Sequence, residues 1–164
     1  MDLVKFSQYA KHKDGTYVSF EMKKESRELL DHFVEANLGL NERVNPDSYH
    51  ITIIYSRTPV PEAEQFAGPV EASGRGTGYE VFPTKTGEKC LVLRIVSPAA
   101  EGLNKVLKKM GATSDYADYK AHVTLAYNAE MPDSVEDLPV PQFPLEFDVI
   151  NVAPLDPEFV PSNK

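Results

Sequence analysis

One short stretch is used twice in this chain. The first copy is Tyr49-His50-Ile51-Thr52-Ile53-Ile54-Tyr55-Ser56, and the second is Ala121-His122-Val123-Thr124-Leu125-Ala126-Tyr127-Asn128. His, Thr and Tyr match by position, and each matched pair is 72 residues apart. Each copy closes a similar unit: an apolar strand pattern, an amphipathic helical pattern, then the His-x-Thr strand. Val18 precedes His50 by 32 residues and Leu91 precedes His122 by 31. Strands interleaved with only two helices lead to an α+β fold of two pseudo-symmetric lobes. Each lobe is expected to be an antiparallel sheet backed by a helix, with the active cleft between them.

The segments follow from local chemistry. Alternation over residues 15–21 predicts a strand, with Thr16, Val18 and Phe20 on one side and Tyr17, Ser19 and Glu21 on the other. Residues 23–38 read as a helix with the stripe Leu29, Leu30, Phe33, Val34 and Leu38, stopped at Gly39. Asn45-Pro46-Asp47 is a turn before the first His-x-Thr strand, 48–56. The Pro- and Glu-containing stretch around 58–69 reads as a loop and separates the lobes. Gly74-Arg75-Gly76-Thr77-Gly78 does not open a helix, so it lacks the geometry of a phosphate loop and reads as a flexible turn. Thr86-Gly87-Glu88 is a hairpin turn into the run 89–96. Ser97-Pro98 starts a second helix with the stripe Leu103, Val106, Leu107 and Met110, closed at Gly111. The second His-x-Thr strand spans 119–128, and 143–152 is one more strand. The chain thus reads as a single domain over 1–164, with lobes at about 15–57 and 70–152 and a proline-rich tail at 153–164. Residues 1–14 read as a poorly ordered polar lead-in.

Side chains i and i+2 on a strand stand on one face, about 7 Å apart. His50 and Thr52 therefore share a face with Ile54, and His122 and Thr124 stand together. Ile51, Ile53 and Tyr55, like Val123, Leu125 and Tyr127, are expected in the core. Two imidazoles facing each other supply an acid and a base near neutral pH. Threonine hydroxyls between them can donate to the non-bridging oxygens of a phosphate, where charge grows in the transition state. Base, acid and oxyanion donors suffice for phosphodiester cleavage that uses a neighbouring ribose 2′-OH. Which histidine takes which role is open, because the motif is symmetric. Two histidines without a carboxylate cluster are a poor metal-ligand set, so neither a metal nor a cofactor is expected. Lys120, two residues before His122, is a candidate for neutralising phosphate, and Arg94 is the polar break in an apolar strand. Arg57 and Arg75 read as loop residues, and His12 and His32 as structural or surface residues.

Composition narrows the ligand. The net charge is −8, which disfavours a long polyanion but not a small nucleotide held in a cleft. There is no Trp, so base stacking falls to Tyr, Phe or Arg. The single cysteine, Cys90, has no internal disulfide partner and suits a reducing cytoplasm. No long apolar run predicts a membrane span, and the first residues do not read as a signal peptide.

With these residues in hand, the chain resembles the 2H phosphoesterase superfamily, whose two H-Φ-[ST]-Φ motifs sit on two pseudo-symmetric lobes. The stretch Pro46 to Pro61, Glu80-Val81-Phe82 with Gly87, and Gly111-Ala112-Thr113 through Asn128 are similar to the branch of phage anti-CBASS cyclic oligonucleotide phosphodiesterases. The resemblance implies metal-independent cleavage of 3′–5′ linkages in cyclic di- and trinucleotide messengers, in the cytoplasm of an infected bacterium. It implies His50 and His122 as acid and base, and Thr52 and Thr124 as phosphate ligands. It also implies an aromatic from the first strand and one from the tail against the bases. These are Tyr17 and Phe159, the latter where a relative is expected to carry Trp. Other activities compatible with the motif are opening a 2′,3′-cyclic phosphate on RNA ends and sequestering a cyclic nucleotide without cutting it.

Overall fold

The computed structural model describes residues 10–84, 87–128, 130–132 and 134–159. The lead-in before residue 10, Thr86 of the predicted hairpin turn and the tail beyond Phe159 lie outside these. Among the described residues, six strands and two complete α-helices follow in the order β1 (Thr16–Met22), α1 (Lys24–Asn37), β2 (His50–Ser56), β3 (Gly68–Pro83), β4 (Lys89–Val96), α2 (Pro98–Lys109), β5 (His122–Tyr127) and β6 (Leu145–Pro154). Every ladder is antiparallel, in the order β2-β1-β6-β3-β4-β5. This is the expected α+β class. The last strand, grouped in sequence with the second lobe, lies between β1 and the first half of β3.

β3 is one 16-residue strand that changes partner midway. Gly68–Gly74 pairs with β6 and Arg75–Pro83 with β4, so the glycine-rich stretch is strand and not a flexible turn. The glycines there serve close approach. A Cβ on Gly74 would stand 2.6 Å from Ile95 Cγ2, and one on Gly76 3.0 Å from Leu93 Cδ1. Small residues at the change of partner let the strand bend against β4 without a clash.

Both helices have legible ends. Gly39, at φ +61, follows the last turn of α1, and Gly111, at φ +108, follows α2. Ser97 caps α2, its Oγ accepting from the Ala100 N–H at 3.3 Å. The buried stripes are narrower than expected. Ser26, Leu30 and Val34 face inward on α1, while Leu29 is 51% exposed. Ala100, Asn104 and Leu107 face inward on α2, while Val106 is 43% exposed. A single helical row, at i, i+4 and i+8 on α1 and at i, i+4 and i+7 on α2, reaches the sheet, and the flanking residues of each stripe stay at its edge. Among the described residues no helix is long and apolar enough to cross a membrane.

His12 corrects the picture of a loose lead-in. It is fully buried, with Nε2 2.9 Å from Glu64 Oε1 and Nδ1 3.1 Å from Thr16 Oγ1. Glu64 belongs to the 3₁₀ turn Pro61–Phe66, so the stretch between the lobes is folded and tied to the start of β1.

Candidate active site

β2 and β5 stand at opposite ends of the strand order, yet the sheet curls until they touch. Along β2, Ile51 and Ile53 are fully buried while His50 and Thr52 are half-buried. Along β5, Val123 and Leu125 are fully buried while His122 and Thr124 are half-buried. The apolar residues anchor each strand in the core and leave the His-x-Thr face toward the cleft.

Two β-bulges then change the faces. Val18 pairs with Ile54 but Ser19 with Thr52, so Ile53 is an extra residue. Leu91 pairs with Ala126 but Val92 with Thr124, so Leu125 is an extra residue. Both bulges fall three residues after the histidine. One inserted residue reverses the parity of everything beyond it. Ile54, expected beside His50 and Thr52, is instead buried opposite Val18. Tyr55 and Tyr127, expected in the core, turn to the cleft side of the sheet, opposite Tyr17 and Cys90 respectively.

Each bulge is held by the opposite lobe. The buried Asn104 side chain of α2 donates to the Ile53 carbonyl at 2.9 Å. The Val44 N–H, just before the first His-x-Thr strand, donates to the Leu125 carbonyl at 2.7 Å. The Tyr119 hydroxyl donates to the Thr52 carbonyl at 2.8 Å. At the far end of β2, Arg57 grips Asp115 through Nε–Oδ1 at 3.1 Å and Nη2–Oδ2 at 3.0 Å. The separation of the two motifs is therefore set by main-chain contacts of the motif strands themselves.

The histidines are oriented identically. His50 Nδ1 lies 2.6 Å from the Ser48 carbonyl, and His122 Nδ1 lies 2.7 Å from the Lys120 carbonyl. A carbonyl only accepts, so Nδ1 carries the proton in both rings and Nε2 is left for chemistry. Their surroundings differ. In the ladders, Glu21 stands opposite His50 and Arg94 opposite His122. Arg94 is hydrogen-bonded to Glu80, and the Phe82 ring meets the His122 ring edge-on at 5.0 Å. Burial holds the His122 imidazole below the ordinary histidine value. The Lys120 hydrogen bond and Glu80 oppose this, while charge on His50 and Arg94 reinforces it.

Each threonine has a tyrosine beside it. Tyr17 Oη is 2.9 Å from Thr52 Oγ1. The β5 bulge puts Tyr127 on the Thr124 face, its hydroxyl within reach of that side chain. The Tyr17 ring is half-buried and meets Tyr55 edge-on at 6.4 Å, and the Arg57 guanidinium lies over Tyr55 at 5.6 Å.

The remaining sequence candidates sit differently. Lys120 precedes β5, so strand parity does not govern its exposed side chain; its carbonyl is what holds His122. Phe159 is 69% exposed and follows β6, whose last residue, Pro154, pairs with Thr16. His50 lies at the other end of that lobe, opposite Glu21. Arg94 stands on the cleft face, opposite His122. Phe82, Asn104 and Tyr119 were missed. The only signal for Phe82 was its alternation with Glu80, and the side chains of the other two donate to backbone carbonyls, partners that no side-chain pattern encodes. Among the described residues no group of three or more His, Cys, Asp or Glu side chains is arranged to hold a metal ion.

This architecture has counterparts. A family model described as anti-CBASS protein Acb1 matches residues 14–162. The anti-CBASS protein Acb1 of Vibrio phage KVP40 is 30% identical over 156 residues, covering 91% of this chain and 93% of the relative. That of Enterobacteria phage T4 is 30% identical over 127 residues, covering 77% and 81%. Among solved structures, TT0787 of Thermus thermophilus aligns with a TM-score of 0.53 at 20% identity, over 84% of this chain and 86% of that one. E. coli LigT complexed with 3′-AMP aligns with a TM-score of 0.52 at 16% identity, over 84% of each chain. These structural likenesses establish the shared fold.

Proposed function

The chain belongs to the anti-CBASS protein Acb1 family, and from that premise we propose that it hydrolyses 3′–5′ phosphodiester bonds of cyclic di- and trinucleotide messengers without a metal. The observation that carries this reading is the matched pair of histidines. Each has Nδ1–H tied to a main-chain carbonyl and Nε2 directed to chemistry, with a threonine hydroxyl two residues on. His122, depressed by burial, starts neutral and takes the proton of the ribose 2′-OH at Nε2. O2′ attacks phosphorus while Thr52 and Thr124 donate to the non-bridging oxygens. His50, as the acid, gives its Nε2 proton to the departing 5′ oxygen. This first step breaks the P–O5′ bond and leaves a 2′,3′-cyclic phosphate and a free 5′-OH. The setting is the cytoplasm of an infected bacterium, where loss of the messenger silences the host defence.

The test is incubation with 3′,3′-cGAMP in EDTA. Linear products are expected, and His50→Ala and His122→Ala each lose about 10²- to 10⁴-fold in kcat/KM with the fold intact. Intact messenger recovered after heating the wild-type protein would identify a sponge and sink the reading. Cleavage of a linkage whose attacking ribose is 2′-deoxy would sink the 2′-OH mechanism alone.

A further inference from the structure

We infer that Tyr17 and Tyr127 are positioning residues that aim the Thr52 and Thr124 hydroxyls at the substrate phosphate, an inference that rests on the phosphodiesterase reading above. A threonine hydroxyl is a free rotor with one proton to give and two lone pairs to fill. If a tyrosine O–H fills a lone pair, the threonine proton is released to point elsewhere. Tyr17 Oη at 2.9 Å from Thr52 Oγ1 is placed to do this, and Tyr127, which the bulge puts on the Thr124 face of β5, is within reach to do the same. The donor chain Tyr O–H to Thr Oγ1, then Thr O–H to phosphate oxygen, is polarised in one direction and strengthens its last link.

The two contacts are built from unrelated positions. Tyr127 lies on the same strand as Thr124 and reaches its side only because Leu125 bulges out. The repeat places Tyr55 at the corresponding point of the first lobe, but Tyr55 stands against Tyr17 and Arg57. Thr52 is met instead by Tyr17 from the neighbouring strand. The second-lobe position matching Tyr17 is Cys90, since Tyr17 pairs with Tyr55 and Cys90 with Tyr127. Simple repetition of one lobe would not make the same tyrosine–threonine contact twice by two routes. The contact itself is the common requirement. Burial pushes both phenols up from their ordinary values, so both hydroxyls keep their protons through the neutral range.

The role differs from base stacking in a measurable way. Phenylalanine keeps the ring and removes only the hydroxyl. For a positioning role, Tyr17→Phe and Tyr127→Phe each lower kcat on 3′,3′-cGAMP by about tenfold, the rate equivalent of one net hydrogen bond, with KM within about twofold. A purely stacking Tyr17 predicts full activity for Tyr17→Phe and a raised KM for Tyr17→Ala. Because the effect runs through the threonine, Tyr17→Phe added to Thr52→Val slows the enzyme no further than Thr52→Val alone. Wild-type kcat in both phenylalanine variants, or independent losses in the double variant, overturns the inference. If wild-type protein leaves the messenger intact, the phosphodiesterase reading fails on its own. The positioning is then read by NMR titration with inorganic phosphate, where Tyr17→Phe and Tyr127→Phe weaken binding about threefold or more. Equal affinities in that titration overturn it.

Discussion

Asn104 ties a helix of the second lobe to the bulged strand of the first. Replacing it with Leu keeps much of its volume and removes its donor. The residue is 4% exposed, and its amide lies 2.9 Å from the Ile53 carbonyl. Leaving a buried carbonyl without its donor costs about 1–3 kcal/mol, and the added apolar contact of Leu offsets only part of this. A net loss of about 2 kcal/mol shifts Tm down by roughly 4–8 °C for a chain of this size. Asn104→Asp is worse at neutral pH, since a carboxylate then faces the carbonyl oxygen. It regains stability relative to wild type on acidification, because a protonated carboxyl can donate. Differential scanning calorimetry at two pH values reads both effects. Asn104→Leu melting within about 1 °C of wild type would show that the bulge does not depend on the opposite lobe, and the account of how the cleft is held would be wrong.

Gly74→Ala should cost about 1–3 kcal/mol in urea denaturation, because its Cβ would meet Ile95 Cγ2 at 2.6 Å and Val96 O at 3.1 Å. Gly78→Ala, whose Cβ meets nothing within 4 Å, should stay within about 0.5 kcal/mol of wild type. The acidic limb of the kcat/KM profile should fall below the ordinary histidine value of 6.5, because burial depresses His122 and the proposed mechanism needs it neutral as the base. The stability sign follows from the same shift. Between the depressed folded value and 6.5 the unfolded chain binds more protons, so His122 costs stability as pH falls through that window. Replacing His122 with Gln should flatten that part of the stability curve, read by denaturation at several pH values.

Much of the geometry of the candidate site was legible in the chain itself. The spacing of His50 with Thr52 and of His122 with Thr124 puts each pair on one strand face, because alternation is a local property of extended backbone. Ser97-Pro98 and the two closing glycines marked helix ends for equally local reasons. The repeat itself announced two lobes. Tertiary structure decided what depends on pairing. The bulges at Ile53 and Leu125 carry no residue signature, since an extra residue is defined only against the partner strand. They alone bring Tyr55 and Tyr127 from the expected core to the cleft. The glycine-rich stretch became strand because β4 and β6 claim its two halves. His12 became core because Glu64, distant in sequence, closes over it beside the neighbouring Thr16. The unequal surroundings of two identical motifs are likewise tertiary, because burial of His122 and the ladder partners Glu21 and Arg94 belong to the assembled sheet rather than to the motif.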